Sequence, residues 1–203
     1  MAEKNLALNL KRSDIDAVFD GRNLKKWEKD IADYIYLVKN LHCADSADIR
    51  PAYRRVFNRF YKVRMKNEWQ TRYLYPLFFR CAEENNANFG GILDALSKQT
   101  NQLQASFASK LAATIDPRLP VIDKNVLSYL DQKLPSSHIE FEDRIAVVVE
   151  LHKNMQLEFN RFLETSTGKY LVEKFTGAYP KAKISTMKML DFVLWQSGGK
   201  KEE

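Results

Sequence analysis
The sequence predicts an all-α protein, a compact multi-helix fold with at least seven helices and no substantial sheet. Apolar residues recur at three- and four-residue steps along most of the chain, the spacing that lines one face of a helix. The one β-branched run, Ile145 to Val149, lies inside a longer stretch of the same period. Prolines and Asn/Asp/Ser clusters divide that pattern into several short pieces.

The first 20 residues hold no sustained period and read as a strand, a short helix or an arm. From Asn23, a suitable N-cap, Leu24, Trp27, Ile31, Ile35 and Val38 follow helical spacing. CADSAD at 43–48 is a connector, and Pro51 opens the next helix because its missing N–H costs nothing in a first turn. That helix is expected to run to about Lys66 with Val56, Phe60 and Val63 as its packing stripe. Asn67 caps a third helix reaching Glu84, kinked or restarted near Pro76, where proline disrupts the i→i−4 ladder. After the turn NNANFGG come helices over 92–98 and 103–115, stopped by Asp116-Pro117. A short helix over 123–130 precedes the break at Pro135-Ser136-Ser137. A long helix from about Ile139 to Glu164 and a last one from Ser185 to Trp195 complete the series. The expected core includes Trp27, Ile31, Phe60, Val63, Leu111, Ile115, Val126, Val148, Leu151, Phe159, Leu190 and Leu194.

At 203 residues and 45% hydrophobic content, the chain can bury most of its potential surface. Residues 1–197 read as a single helical domain, with 20–100 and 101–197 as candidate lobes and 198–203 as a disordered tail. No apolar run approaches 18 residues and the N-terminus lacks a signal-peptide core. The expectation is a cytoplasmic protein with no membrane partner. Cys43 and Cys81 form no local motif and read as buried thiols in a reducing compartment.

Charge is distributed unevenly. Between Arg50 and Arg80 there are nine basic residues and one acidic one, Glu68, a local charge of +8; the rest of the chain carries −2. Arg55, Arg59, Lys62 and Lys66 fall on one face of the expected second helix, where mutual repulsion disfavours them without a partner. Such a field attracts phosphates or acidic partners. The leading expectation is a helical protein that binds DNA through the Arg50–Lys66 basic face without chemistry, with RNA and an acidic protein as alternative partners. Trp69, Tyr73 and Tyr75 can stack on unpaired bases, with Arg72 supplying a phosphate or cation–π contact. The same aromatic residues, with Tyr53, Phe57, Phe60 and Tyr61, also suit a core between helices.

The segment with the most chemical content is Pro120-Val121-Ile122-Asp123-Lys124-Asn125-Val126, preceded by an apolar helix with small residues at Ala105, Ala108 and Ala112. Asp123 stands at the N-cap of a short helix, where its carboxylate satisfies orphan N–H groups and stabilises the start by about 1 kcal/mol. The segment also resembles the aspartate region of the helix-hairpin-helix DNA glycosylase superfamily: an alanine-rich helix, a short loop, a proline, apolar residues, the essential aspartate, two variable residues and a valine. The resemblance implies a helical, two-lobed fold with a cleft between the lobes. Asp123 would occupy the catalytic position there, with Lys124 and Asn125 beside it. The family's hairpin turn contains glycine, whereas the turn read here is Lys98-Gln99-Thr100-Asn101. Its nucleophilic lysine has no counterpart, since Lys110 sits inside the helix. The implied activity is that of a monofunctional DNA glycosylase. Asp123 would stabilise the cationic sugar or orient water as an N-glycosidic bond breaks, after the base is flipped out. Ser106–Lys110 together with Leu190–Trp195 also resembles segments of bacterial proteins without an assigned role.

Asp191 lies among core positions of the last helix and therefore requires a basic partner, a capping role or edge exposure; it joins Lys124 and Asn125 as a candidate cleft residue. Asp143, Glu150, Glu158 and Glu164 are read as solvent-facing. Gly168-Lys169 lacks the glycine-rich lead of a phosphate loop. His42, His138 and His152 are too scattered for local metal-ligand spacing, and no C-x-x-C pair is present. No metal or cofactor is expected.

Overall fold
The computed structural model describes residues 6–20, 24–43, 48–63 and 68–198. Its ten α-helices confirm the all-α class, and no strand occurs among the described residues. No described helix is long and apolar enough to cross a membrane. All twelve expected core residues are buried. Asn23, Asn67, Lys66, the middle of the CADSAD connector and residues 199–203 lie outside the described residues.

The chain divides into two compact units, one from Lys25–Asp116 and the other from the flanking stretches Met1–Leu24 and Pro117–Glu203. The middle unit holds α2 (Leu24–Lys39), a 3₁₀ turn (Leu41–Cys43), α3 (Arg50–Phe60), a π-helical turn (Gln70–Leu74), α4 (Tyr75–Glu83), α5 (Phe89–Thr100) and α6 (Ala105–Ile115). Its core is aromatic. The Phe57 ring centroid lies 4.8 Å from that of Tyr61 and 5.4 Å from that of Phe78, and each such pair contributes about 0.5–1.5 kcal/mol beyond its buried area. Two of the buried tyrosine hydroxyls are hydrogen-bonded. Tyr53 donates to the Leu37 carbonyl at 3.1 Å. Tyr61 donates to Thr114 Oγ1 at 2.8 Å, because that hydroxyl already donates to the Lys110 carbonyl. The restart at Pro76 takes the form of the π turn: the Tyr75 N–H reaches back five residues to Gln70, and Pro76 then enters α4 in its first turn.

Helix α3 is shorter than the sequence pattern implies. It stops at Phe60, and Lys62 takes a left-handed conformation at φ 52°. The Val63 N–H bonds to the Asn58 carbonyl at 2.8 Å and the Lys62 N–H to the Arg59 carbonyl at 3.4 Å, the pairing of a Schellman stop. The same stop ends α4 at Asn85, α5 at Asn101 and α7 at Asp131, none of them glycine. The left-handed region costs a residue bearing a Cβ about 1 kcal/mol, and the exposed ion pair that Lys62 makes with Asp30 offsets part of that. Lys62→Gly is therefore expected to raise stability by about 0.5 kcal/mol, read from the urea midpoint. A lower midpoint would show that the side chain outweighs the backbone.

The second unit holds α1 (Arg12–Val18), α7 (Lys124–Tyr129), α8 (Phe141–Glu164), α9 (Ser166–Ala178) and α10 (Thr186–Gly198). Helix α10 is its centre and packs against the other four, with Leu190, Val193 and Leu194 fully buried. Residues 6–11 run without regular structure into α1, so of the open alternatives for the N-terminus this stretch takes an arm followed by a short helix. Leu8 and Leu10 are buried, and the Leu8 N–H donates to Glu158 Oε1 at 2.9 Å. Glu158 is thus buried and not solvent-facing as expected, because the arm needs an acceptor and Arg161 neutralises the other oxygen at 2.8 Å. Asp143, Glu150 and Glu164 are exposed.

Candidate functional site: a carboxylate anchored by the last helix
Pro117 and Pro120 keep the stretch between α6 and α7 from continuing as helix, and the second unit fixes this loop from two sides. From α10, or its cap, Ser185 Oγ donates to the Pro117 carbonyl at 2.7 Å. From α8, Gln156 Nε2 reaches the Arg118 carbonyl at 3.4 Å and His152 Nε2 lies 3.0 Å from the Pro120 carbonyl. A carbonyl only accepts, so Nε2 carries the proton. Burial pushes His152 down to about 4.

Asp123 ends the loop. Its Oδ1 accepts the Val126 N–H at 3.0 Å, which is the capping role expected of it. Its Oδ2 accepts the indole N–H of Trp195, a residue 72 positions away on α10. Asn125 completes the link by donating to the Trp195 carbonyl at 3.0 Å. Lys124 is exposed at the first turn of α7.

Behind Asp123 lies a buried ion pair. Lys188 Nζ is 2.8 Å from Asp191 Oδ2, with the two side chains only 3% and 7% exposed. The basic partner that the sequence requires for Asp191 is therefore Lys188, one turn earlier on the same helix. Burial raises the Asp191 carboxyl above the ordinary carboxylate range; the Lys188 ammonium opposes that shift, and the nearby Asp123 charge adds to it. The Val121 N–H faces this carboxylate, yet Asp191 Oδ1 has no well-formed hydrogen bond among the described residues. Residues 188, 191 and 195 recur at helical spacing and present one polar face to the loop.

Such an arrangement holds a half-buried carboxylate in one orientation with neutral donors on both oxygens. It can stabilise positive charge developing nearby or orient a water. Two open surface depressions, about 440 and 650 Å³, lie along α9, and neither is lined by Asp123. No group of three or more His, Cys, Asp or Glu placed to hold a metal occurs among the described residues.

The basic run is partly turned inward. Arg54 stacks 4.6 Å over the buried Tyr75 ring and Arg50 lies 5.7 Å over Phe79. Arg59 holds Asp33 of α2 with two bonds, 2.7 and 2.6 Å, and Lys62 lies 3.4 Å from Asp30, one turn earlier on α2. Because α3 ends at Phe60, Lys62 does not share a helix face with Arg55 and Arg59 as expected. Arg55 and Arg72 are exposed, the latter 5.5 Å over the half-buried Tyr73 ring. Lys66 is outside the described residues. Trp69 is half-buried edge-on against Phe107 at 5.0 Å, whereas Tyr53, Phe57, Phe60, Tyr61 and Tyr75 are core.

Helix α5 runs on through Thr100, so the hairpin to α6 turns over Asn101–Gln104 rather than over 98–101, and three of its N–H groups are engaged internally. Those of Asn101 and Gln102 donate to the Ser97 carbonyl, and that of Gln104 to Ser97 Oγ. None of these three is directed at a phosphate. Comparison with protein-family models, curated proteins and solved structures gives no match to this chain.

Proposed function
We propose that the protein is a nucleic-acid-associated hydrolase of the monofunctional DNA-glycosylase type, with Asp123 as its catalytic carboxylate. The observation that carries this reading is the second anchor on Asp123. A helix cap needs one carboxylate oxygen, yet here the other accepts the Trp195 indole, with a buried Lys188–Asp191 pair behind it. Desolvating such a pair is costly, and a short helix start gives no reason to maintain it. The substrate class follows from the resemblance at Pro120–Val126. In this reading the carboxylate stabilises the cationic sugar, or holds the attacking water, while the N-glycosidic bond breaks. The exposed Arg55 and Arg72 contribute phosphate contacts that position the DNA without reading its sequence.

The capping bond to Val126 favours a second reading, in which Asp123 only starts a helix and the protein binds DNA, RNA or an acidic protein through Arg50–Lys66 without chemistry. Base release from duplexes carrying damaged or mismatched bases separates the two. Wild type is expected to release a base, and Asp123→Asn to lose about 100-fold in rate with its fold and duplex affinity intact. Retained DNA affinity without base release over a broad panel would establish the second reading. Absence of both base release and affinity for DNA or RNA would sink the nucleic-acid assignment.

A further inference from the structure
We propose that Lys188 and Asp191 are positioning residues for Asp123, a buried charge pair that sets the charge its carboxylate carries. Three observations converge. Both side chains are withdrawn from water yet ionisable, at 3% and 7% exposure. One Asp191 oxygen is engaged by Lys188, while the other is buried with the Val121 N–H facing the carboxylate but no well-formed hydrogen bond among the described residues. Asp191 and Trp195 lie one turn apart on α10, and Trp195 holds Asp123 directly.

The physical logic is a balance of three charges. Two carboxylates sharing a site resist ionising together, and one of them retains a proton to higher pH. The Lys188 ammonium offsets the Asp191 charge that would otherwise face Asp123 alone. The charged groups around Asp123 are Lys188 and Asp191 from α10, the helix packed on α7, with Lys124 beside it in sequence and Arg118 earlier in the loop. His152, reaching the loop from α8, is neutral. Replacing a purely structural buried pair with apolar residues is often neutral or stabilising, so packing alone does not call for charges at this spot. The use of that charge in catalysis rests on the glycosylase-type reading; the charge itself does not.

The Trp195 indole N–H provides the readout, because it is bonded to Asp123 and its NMR resonance follows the protonation of that carboxylate. Loss of one indole signal in Trp195→Phe assigns it, and the Trp27 and Trp69 indoles serve as controls. Asp191→Asn removes the neighbouring negative charge and leaves the cation, so the Trp195 titration should move to lower pH. Lys188→Met leaves two carboxylates without a cation, so it should move to higher pH. Each shift should be on the order of one pH unit, with the control indoles unmoved. Lys188→Arg keeps the cation and should titrate as wild type. Midpoints unchanged in both variants, or displaced in the same direction, would overturn the proposal. Where Lys188→Met fails to fold, an unshifted Asp191→Asn overturns it alone. Absence of base release would remove the enzymatic reading and leave these shifts standing. Base release with unshifted titrations would keep the enzyme and remove the pair's role.

Discussion
Gly168→Ala is expected to lower the stability of the second unit by at least about 3 kcal/mol. The reason is backbone geometry. A Cβ at this position would lie 2.2 Å from the Phe162 carbonyl oxygen and 2.6 Å from the Leu163 Cα. Neither atom is the end of a flexible side chain, so the clash can be relieved only by moving one helix against the other. Thr165 serves as the last cap of α8 and the first of α9: its hydroxyl donates to the Phe162 carbonyl at 2.6 Å and accepts the Gly168 N–H at 3.0 Å. Displacing α9 would disturb its contacts with α8, α10 and α1. Gly177→Ala is the control, since a Cβ there meets nothing within 4 Å; removing a helix-interior glycine should stabilise by up to about 1 kcal/mol. Urea unfolding of both variants tests the argument. A Gly168→Ala midpoint equal to wild type would mean that the elbow is far looser than its geometry implies.

This glycine also shows where the sequence was legible. Gly168-Lys169 invites comparison with phosphate loops, but the requirement it meets is the close approach of two helices. Helix α9 itself escaped the sequence reading. Its buried positions, Gly168, Leu171 and Phe175, are too few to stand out, and the N-cap that announces it is also the end of α8. The long α8 and the α10 core positions were readable because burial repeats there over many turns. Helix ends were harder. Four Schellman stops carry Lys, Asn, Asn and Asp where glycine would have signalled them, so the α3 pattern seemed to run on towards Lys66. The local excess of positive charge was plain, but its acidic partners lie at Asp30 and Asp33, 32 and 26 positions from Lys62 and Arg59. No local window places them together. At the candidate site, Asp123 was visible as a cap and Asp191 as a carboxylate in need of a cation. Trp195 carried no such signal, since an indole at a helical core spacing reads as packing until the fold brings it to a carboxylate.

Acid should loosen the second unit through His152. Its ordinary value is 6.5 and burial lowers it to about 4 in the native state. Between these two values the unfolded chain holds a proton that the native imidazole does not, so stability falls as pH drops from 6.5 towards 4. It changes no further from this source below that. The full contribution is about 3 kcal/mol. Asp191 acts in the opposite sense: its raised carboxyl takes up a proton more readily in the native state, so acidification favours the fold there. A single variant separates the two. His152→Gln keeps an N–H donor for the Pro120 carbonyl but does not titrate, while Asp191 remains in place. Stabilities measured from pH 7 to pH 4 should therefore diverge, with wild type losing about 3 kcal/mol relative to His152→Gln over that range. Parallel curves would show that His152 titrates normally despite its burial. The comparison bears on the site as well, because His152 is bonded to the loop that ends in Asp123. If divergence is found, the Trp195 indole resonance should broaden or shift in wild type at the acidic end and remain sharper in His152→Gln, since only in wild type does a buried imidazolium form against the loop.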